Sequence, residues 1–200
     1  SDLCITPVSA PENHYVRIKA DNRLEADGTL RGTFTLTAEG QSDSNIRRIF
    51  TTGFQSEWNS TMERQLLAIS PKARLLSVDY GKNPKDYQAA PIKITFRYEI
   101  PDYALKGEGE MFFRPMVMNN LYNQVRSYMW IDTSVENRKY GFKDACSRLA
   151  ELDETVQLPA GYKLVSAVKD ETMQGVGADF EGSLVQKGNK VLLHNRLALK

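Results

Sequence analysis

Strict alternation of apolar and polar side chains over residues 92–100 constrains the fold more than any other feature of this sequence. The apolar residues of this segment are Ile92, Ile94, Phe96, Tyr98 and Ile100. A period of two puts one set of side chains on a buried face of a strand and the other set in water. Residues 15–20, 30–38 and 191–199 show the same period, so the sequence predicts antiparallel sheet with one wet face.

Turn residues separate these runs at the spacing expected for hairpins. Asp27-Gly28 lies between two alternating runs and predicts a hairpin over residues 24–38, and Gly188-Asn189 predicts a second one near the end of the sequence. Residues 156–164 form a strand-like run that meets Pro159, turns through Ala160-Gly161 and restarts. Further strands are predicted at residues 75–80, 109–117, 164–168 and 180–186.

Residues 42–69 break this pattern, because their apolar residues recur at helical spacing. We predict one or two helices interrupted near Gly53, with Ser56 as an N-cap and Pro71 after the end. The predicted fold is mainly β, an antiparallel β-sandwich with a helical insertion near residues 43–69. Residues 1–200 are expected to form a single unit with an internal seam near 119–150, where helix and strand patterns fit equally well.

Composition excludes several classes of protein. A formal net charge of +1 does not provide the one-sided positive field that binding to nucleic acid requires. No apolar run is long enough to span a bilayer. Two cysteines exclude a disulfide-dense scaffold.

Candidate catalytic groups do not form a recognisable set. Cys146 could act as a nucleophile only if a histidine activated it and a third group oriented that histidine. His194 is expected on the outer face of a strand, and no acid follows it. The cysteines and histidines, at positions 4, 14, 146 and 194, lack the spacing of metal ligands.

Other polar clusters have ordinary structural explanations. Glu151, Asp153 and Glu154 are expected on a solvated face. Gly175, Gly177 and Gly182 precede no helix and therefore predict no phosphate loop. We expect the chain to be non-enzymatic, without a cofactor or a catalytic or metal site. The residues favoured for a partner or ligand surface are aromatic: Phe54, Trp58 and Trp130.

Several motifs in order resemble one family. They are Asp27-Gly28-Thr29-Leu30, Arg47-Arg48, Pro71-Lys72-Ala73, residues 99–104 followed by Gly107, Leu158-Pro159-Ala160-Gly161-Tyr162, Gly188-Asn189 and Arg196-Leu197. In this order they resemble the C-terminal β-domain of bacterial multidomain transglutaminase-like, cysteine-protease-like proteins. The resemblance implies a periplasmic or secreted location and a catalytic domain outside this sequence. Residues 119–138 depart from the family pattern.

The expected function is therefore that of an accessory β-domain, which packs against or positions a neighbouring catalytic domain of the same polypeptide. The helical insertion is the expected docking surface, since Phe54 and Trp58 are close in sequence. In the other interpretation of the insertion, Trp58 is buried and the helices only close one side of the sheet. The alternative function is a β-sandwich module that binds a peptide or a glycan.

Overall fold

In the computed structural model, one continuous eight-stranded sheet organises the chain. The structure describes residues 7–89, 91–118, 129, 134, 139, 146–165 and 170–200. The order of strands across the sheet is β3-β4-β2-β1-β7-β10-β9-β8. Their bounds are β1 Tyr15–Leu24, β2 Leu30–Ala38, β3 Arg74–Asp79, β4 Ile92–Ile100, β7 Arg148–Gln157, β8 Glu171–Gln174, β9 Ala178–Lys187 and β10 Lys190–Leu199. A separate hairpin pairs β5, Leu105–Lys106, with β6, Met111–Phe112.

The prediction of a mainly β fold is confirmed, and both predicted hairpins form. β1 pairs with β2 around the Asp27-Gly28 turn, and β9 pairs with β10 around Gly188. Gly28 and Gly188 both have positive φ, which explains why glycine occupies these turn positions. The single large sheet is consistent with a sandwich, which stays a prediction.

The two halves of the sheet meet at a parallel pair, which the antiparallel prediction did not include. β1 and β7 run parallel in unbroken register from Tyr15 opposite Leu149 to Arg23 opposite Gln157. Every other neighbouring pair in the sheet is antiparallel. The predicted seam at residues 119–150 lies mostly outside the described residues.

One face of the sheet carries the core. Even-numbered residues of β1 and β4 are buried, and so are those of β7 from Ala150 to Val156. In the described part of the chain two helices cover this face, α1 at Gln41–Thr52 and α2 at Trp58–Leu67, and contribute Ile46, Phe50 and Met62 to the core. The helical insertion is therefore confirmed, with its interruption at Gly53. No helix among the described residues is long and apolar enough to cross a membrane.

Among the described residues, Arg47 on α1 is the largest side chain with almost no solvent exposure, at 1%. Its guanidinium donates to the carbonyl oxygens of Pro84 at 3.0 Å and of Asp86 at 2.9 Å. Its Nε contacts Asp43 Oδ2 at 2.6 Å, and Asp43 Oδ1 accepts from the backbone N–H of Ile92 at 2.8 Å. Arg47 thus holds the loop that precedes β4 against the helix.

Local boundaries differ from the predictions at three places, and the strand predicted over residues 164–168 lies mostly outside the described residues, with no strand at 164 and 165. α2 begins at Trp58 after Glu57, and Ser56 lies in a preceding 3-10 turn without capping the helix, so the predicted N-cap is wrong. The strand predicted over residues 109–117 is limited to β6, and a 3-10 turn follows at Met116–Met118. β8 was not predicted, because all four of its residues are exposed and it shows no alternation in burial.

Candidate functional site

A large, mostly apolar concavity lies beside the Leu158–Leu164 segment. β7 ends at Gln157, and the N–H of Leu158 donates to Asn189 O at 2.8 Å. The chain turns at Pro159–Tyr162, where Gly161 has a φ of 85°. Opposite this turn stands the β5–β6 hairpin. Together they enclose a groove of about 950 Å³, lined by Leu24, Gly109–Phe113 and Leu158–Val165. We call this concavity the apolar groove.

Hydrogen bonds fix both walls of the apolar groove. Gln186 accepts from the N–H of Leu164 at 2.7 Å and donates to Gly188 O at 2.7 Å, so it ties one wall to the β9–β10 hairpin. On the other wall, Tyr103 donates to Arg114 O at 2.8 Å and closes the base of the β5–β6 hairpin. The groove is therefore formed before any partner binds.

Exposed apolar side chains stand at the rim of the apolar groove. Phe112 is 60% exposed and its cross-strand neighbour Leu105 is 73% exposed. Val165, at the end of the facing wall, is also exposed. Met111, Phe113 and Tyr162 pack partly against the core and form the inner part of the lining. Apolar surface grouped in this way marks a binding site more often than isolated exposed residues do.

The open face of the sheet, opposite the helices, is polar and charged. Odd-numbered residues of β1, β2 and β4 lie on it and are exposed or half-buried. Within it, a shallower depression of about 460 Å³ has Arg23, Arg31, Arg97 and Lys190 at its sides. We call this depression the cationic depression.

A buried polar network lies beneath the centre of the sheet. Glu154 is 2% exposed, and its carboxylate accepts from Asn22 Nδ2 at 2.7 Å and from the N–H of Val117 at 3.0 Å. Tyr98, also buried, donates its hydroxyl to Asn22 Oδ1. Glu154 was expected on a solvated face together with Glu151 and Asp153, and this expectation is wrong for Glu154. Its even position in the alternation of β7 was the available signal.

Burial raises the pKa of Glu154 above its ordinary value, although the hydrogen bonds from Val117 and Asn22 favour the charged form. In the unfolded chain this carboxyl group ionises first, near pH 4. We therefore expect the unfolding free energy of the wild type, relative to Glu154→Gln, to fall as pH rises from about 4 to the raised pKa, and to be flat above it. Urea denaturation across this range measures the difference.

Asp102 provides a control of opposite sign. Its hydrogen bond from Lys72 at 2.7 Å lowers the pKa of Asp102. The Lys72–Asp102 pair contributes to the unfolding free energy above the unfolded-state pKa of Asp102, and this contribution is lost as pH falls. The difference in unfolding free energy between the wild type and Asp102→Asn should therefore shrink on acidification. If the Glu154→Gln difference follows the same direction, the assignment of a raised pKa to Glu154 is wrong.

Cys146, which precedes β7, and His194, on β10, lie far apart. His194 is the cross-strand partner of Asp153. Asp153 is five residues after Arg148, which corresponds to about 16 Å of strand. Cys146 precedes Arg148 at the other end, so the two side chains do not form a nucleophile–base pair. The prediction considered only acids that follow His194 in sequence, whereas Asp153, which precedes it, places its Oδ1 2.7 Å from the His194 Nδ1 across the strands. Cross-strand register, which spacing in sequence cannot give, supplies this acid.

Ser183 completes a row with His194 and Asp153 on the open face, since it is the cross-strand partner of His194 on β9. In the described chain no hydrogen bond joins Ser183 to His194. β7 and β10 are interior strands of the sheet, and their backbone N–H groups are used in its ladders. The row therefore lacks the paired N–H donors that stabilise an oxyanion.

The aromatic residues favoured from the sequence have different surroundings. Trp58 is 7% exposed and packs edge to face against Phe50 and Tyr80, with ring centroids 5.2 Å and 5.5 Å apart. Phe54 is 76% exposed, in the turn between the helices. Trp130 lies outside the described residues. The structure thus does not bring Trp58 and Phe54 to a common surface, and the apolar groove was not among the predicted sites.

Metal ligation finds no support in the described residues, where no group of three or more His, Cys, Asp or Glu side chains could hold an ion. Cys146 is half-buried, and Cys4 lies outside the described part.

Comparison with known families finds one match. Residues 109–200 match a family described as Domain of Unknown Function with solved-structure structure (DUF3858). The DUF3858 match covers less than half of the chain. It includes β6 through β10 and both facing segments of the apolar groove, whereas the helices lie before it. Comparisons with curated proteins and with solved structures found no match.

Proposed function

We propose that this chain is a non-catalytic accessory β-domain that docks on a neighbouring domain of the same polypeptide through the apolar groove. The proposal rests on the exposed Phe112 and Val165, which line a concavity whose walls are held by hydrogen bonds, and on exposed Leu105, the cross-strand neighbour of Phe112. Binding to a rigid, apolar concavity requires little ordering of the protein.

The nature of the neighbour follows from the sequence resemblance to transglutaminase-like, cysteine-protease-like proteins of the bacterial envelope. In such an arrangement the catalytic residues belong to the neighbour, and this chain positions it. The DUF3858 match is compatible with this role, because its description names no activity, and it covers the groove.

The docking surface differs from the one expected from the sequence. With Trp58 inside the aromatic cluster, the helical insertion presents Phe54 but not an aromatic pair. Helix α1 instead packs on β1, β2 and β4, and α2 packs on β3. The interpretation in which the insertion closes one side of the sheet accounts for Trp58.

Replacement of Phe112 by serine tests the docking role. We expect this change to weaken binding of the chain to the separately expressed domain encoded beside it by roughly 10-fold or more, as for a central aromatic contact. The matched control is Phe54→Ser, which removes an even more exposed phenylalanine from the insertion and should alter affinity less than about 2-fold. Isothermal titration calorimetry gives both values.

Three outcomes contradict the proposal. One is a gene that encodes no neighbouring domain. Another is failure of the two proteins to associate at high concentration. The third is loss of binding with Phe54→Ser but not with Phe112→Ser, which would move the docking surface to the insertion.

A further inference from the structure

We propose that the cationic depression on the open face binds an acidic peptide, at a site separate from the apolar groove. The side chains that form it come from different strands of the sheet. Arg23 lies on β1, Arg31 on β2, Arg97 on β4 and Lys190 on β10. Short side chains, Asp21 and Thr33, occupy the space between them, which creates the depression.

The lining of the depression contains four cations and one acid, Asp21. Arg23 and Arg31 are direct cross-strand partners in the β1–β2 hairpin, and like charges in that position are destabilising. Glu25 lies 3.3 Å from Arg23 and Glu99 lies 2.7 Å from Arg31, so each has a counter-ion. Arg31 is also the direct cross-strand partner of Glu99, so within the depression the like-charged pairing is confined to Arg31 and Arg23.

Arg97 and Lys190 have no ion-pair partner within the described ranges, and both are exposed. They stand on opposite sides of the depression, with β2, β1 and β7 between their strands. Four strand spacings separate the two backbones by about 19 Å. A ligand that contacts both cations therefore needs two anionic groups on an extended framework, which a single phosphate or acetate ion lacks.

A peptide fits the remaining lining better than a sugar does. Leu76 is the extra residue at a register shift between β3 and β4, and it lines the depression beside Arg97 with its side chain more than half exposed. A bulge of this kind redirects a side chain. Tyr98 is the lone aromatic residue in the described lining, and it is buried beneath the sheet. The site thus offers an apolar contact beside its cations but no exposed ring on which a sugar could stack. These features fit a peptide in which acidic residues flank an aliphatic one.

The experiment uses the labelled peptide Ac-Ser-Glu-Leu-Glu-Ser-NH2 and its Gln-Leu-Gln counterpart, with fluorescence anisotropy at low salt and amide chemical shifts by NMR. We expect the glutamate peptide to bind at least about 10-fold more tightly than the glutamine peptide, and its affinity to fall with added salt. The shifts should centre on residues 21–33, 76, 97, 155–157 and 190.

Variants locate the site. Arg97→Gln and Lys190→Gln should each weaken binding by about 5-fold. The control Arg48→Gln removes the same charge at an exposed position on α1 and should change the affinity by less than about 2-fold. Equal effects of all three variants, shifts spread over the whole surface, or no binding at millimolar peptide would overturn the proposal. The proposal would also be overturned if a uronic acid tetrasaccharide, but not the peptide, changed the amide chemical shifts of the cationic depression. Phe112→Ser should leave peptide binding intact, which keeps this test independent of the docking role.

Discussion

Replacement of Arg47 by alanine is expected to lower the unfolding free energy by about 3–5 kcal/mol, the range seen when one partner of a buried ion pair is removed. The change leaves Asp43 without its guanidinium partner and removes the donors to the carbonyl oxygens of Pro84 and Asp86. Chemical denaturation measures the loss. Because the loop at residues 84–89 is held by this side chain, its amides should also exchange hydrogen faster.

The adjacent residue supplies the control for this prediction. Arg48 lies on the exposed side of the same helix, so Arg48→Ala should cost less than about 0.5 kcal/mol. A loss below about 1 kcal/mol for Arg47→Ala would contradict the structural role assigned to the buried guanidinium.

Replacement of Phe96 by alanine is expected to cost a similar amount, about 3–5 kcal/mol. Phe96 is 4% exposed and its ring stacks on Phe34 of the neighbouring strand, with the centroids 4.2 Å apart. Truncation removes this contact and leaves a cavity under the helices. Phe96→Leu keeps most of the volume and should cost less than half as much.

The assignment of Phe96 to the core is tested by thermal or urea unfolding of the two Phe96 variants. The control is Lys93→Ala, on the open face of the same strand. Lys93 is exposed and should tolerate the change within about 0.5 kcal/mol. Equal costs for Phe96→Ala and Lys93→Ala would mean that the two faces of β4 are assigned the wrong way round.

How far the sequence predicts this structure depends on the range of each interaction. The bounds of β4 follow from its own alternation, and the turn at Asp27-Gly28 follows from local geometry, so both are confirmed. The parallel pairing of β1 with β7 joins segments far apart in sequence, and no local pattern specifies it. For the same reason the contact between His194 and Asp153 could not be predicted from spacing.

The candidate sites were harder to predict than the strands. Phe54 and Trp58 are close in sequence, but a helix start between them turns one side chain outward and the other inward. The apolar groove combines short, irregular segments from two distant parts of the chain, Gly109–Phe113 and Leu158–Val165. Neither segment has a periodic pattern of apolar and polar residues from which the groove could be predicted. The buried Glu154 could have been expected from its position among the inward residues of β7.

The parallel β1–β7 pair has a consequence for how the chain folds. Strands β1 and β2, and likewise β9 and β10, can pair as soon as their short turns close, whereas the contact between Arg17 and Glu151 spans 134 residues. Loop closure over such a distance is slow, and proteins rich in distant contacts fold slowly. During synthesis the outer edge of β1 stays unpaired until β7 has been made. From the synthesis of β1 until that of β7, the nascent chain therefore presents an open strand edge at which another copy could pair.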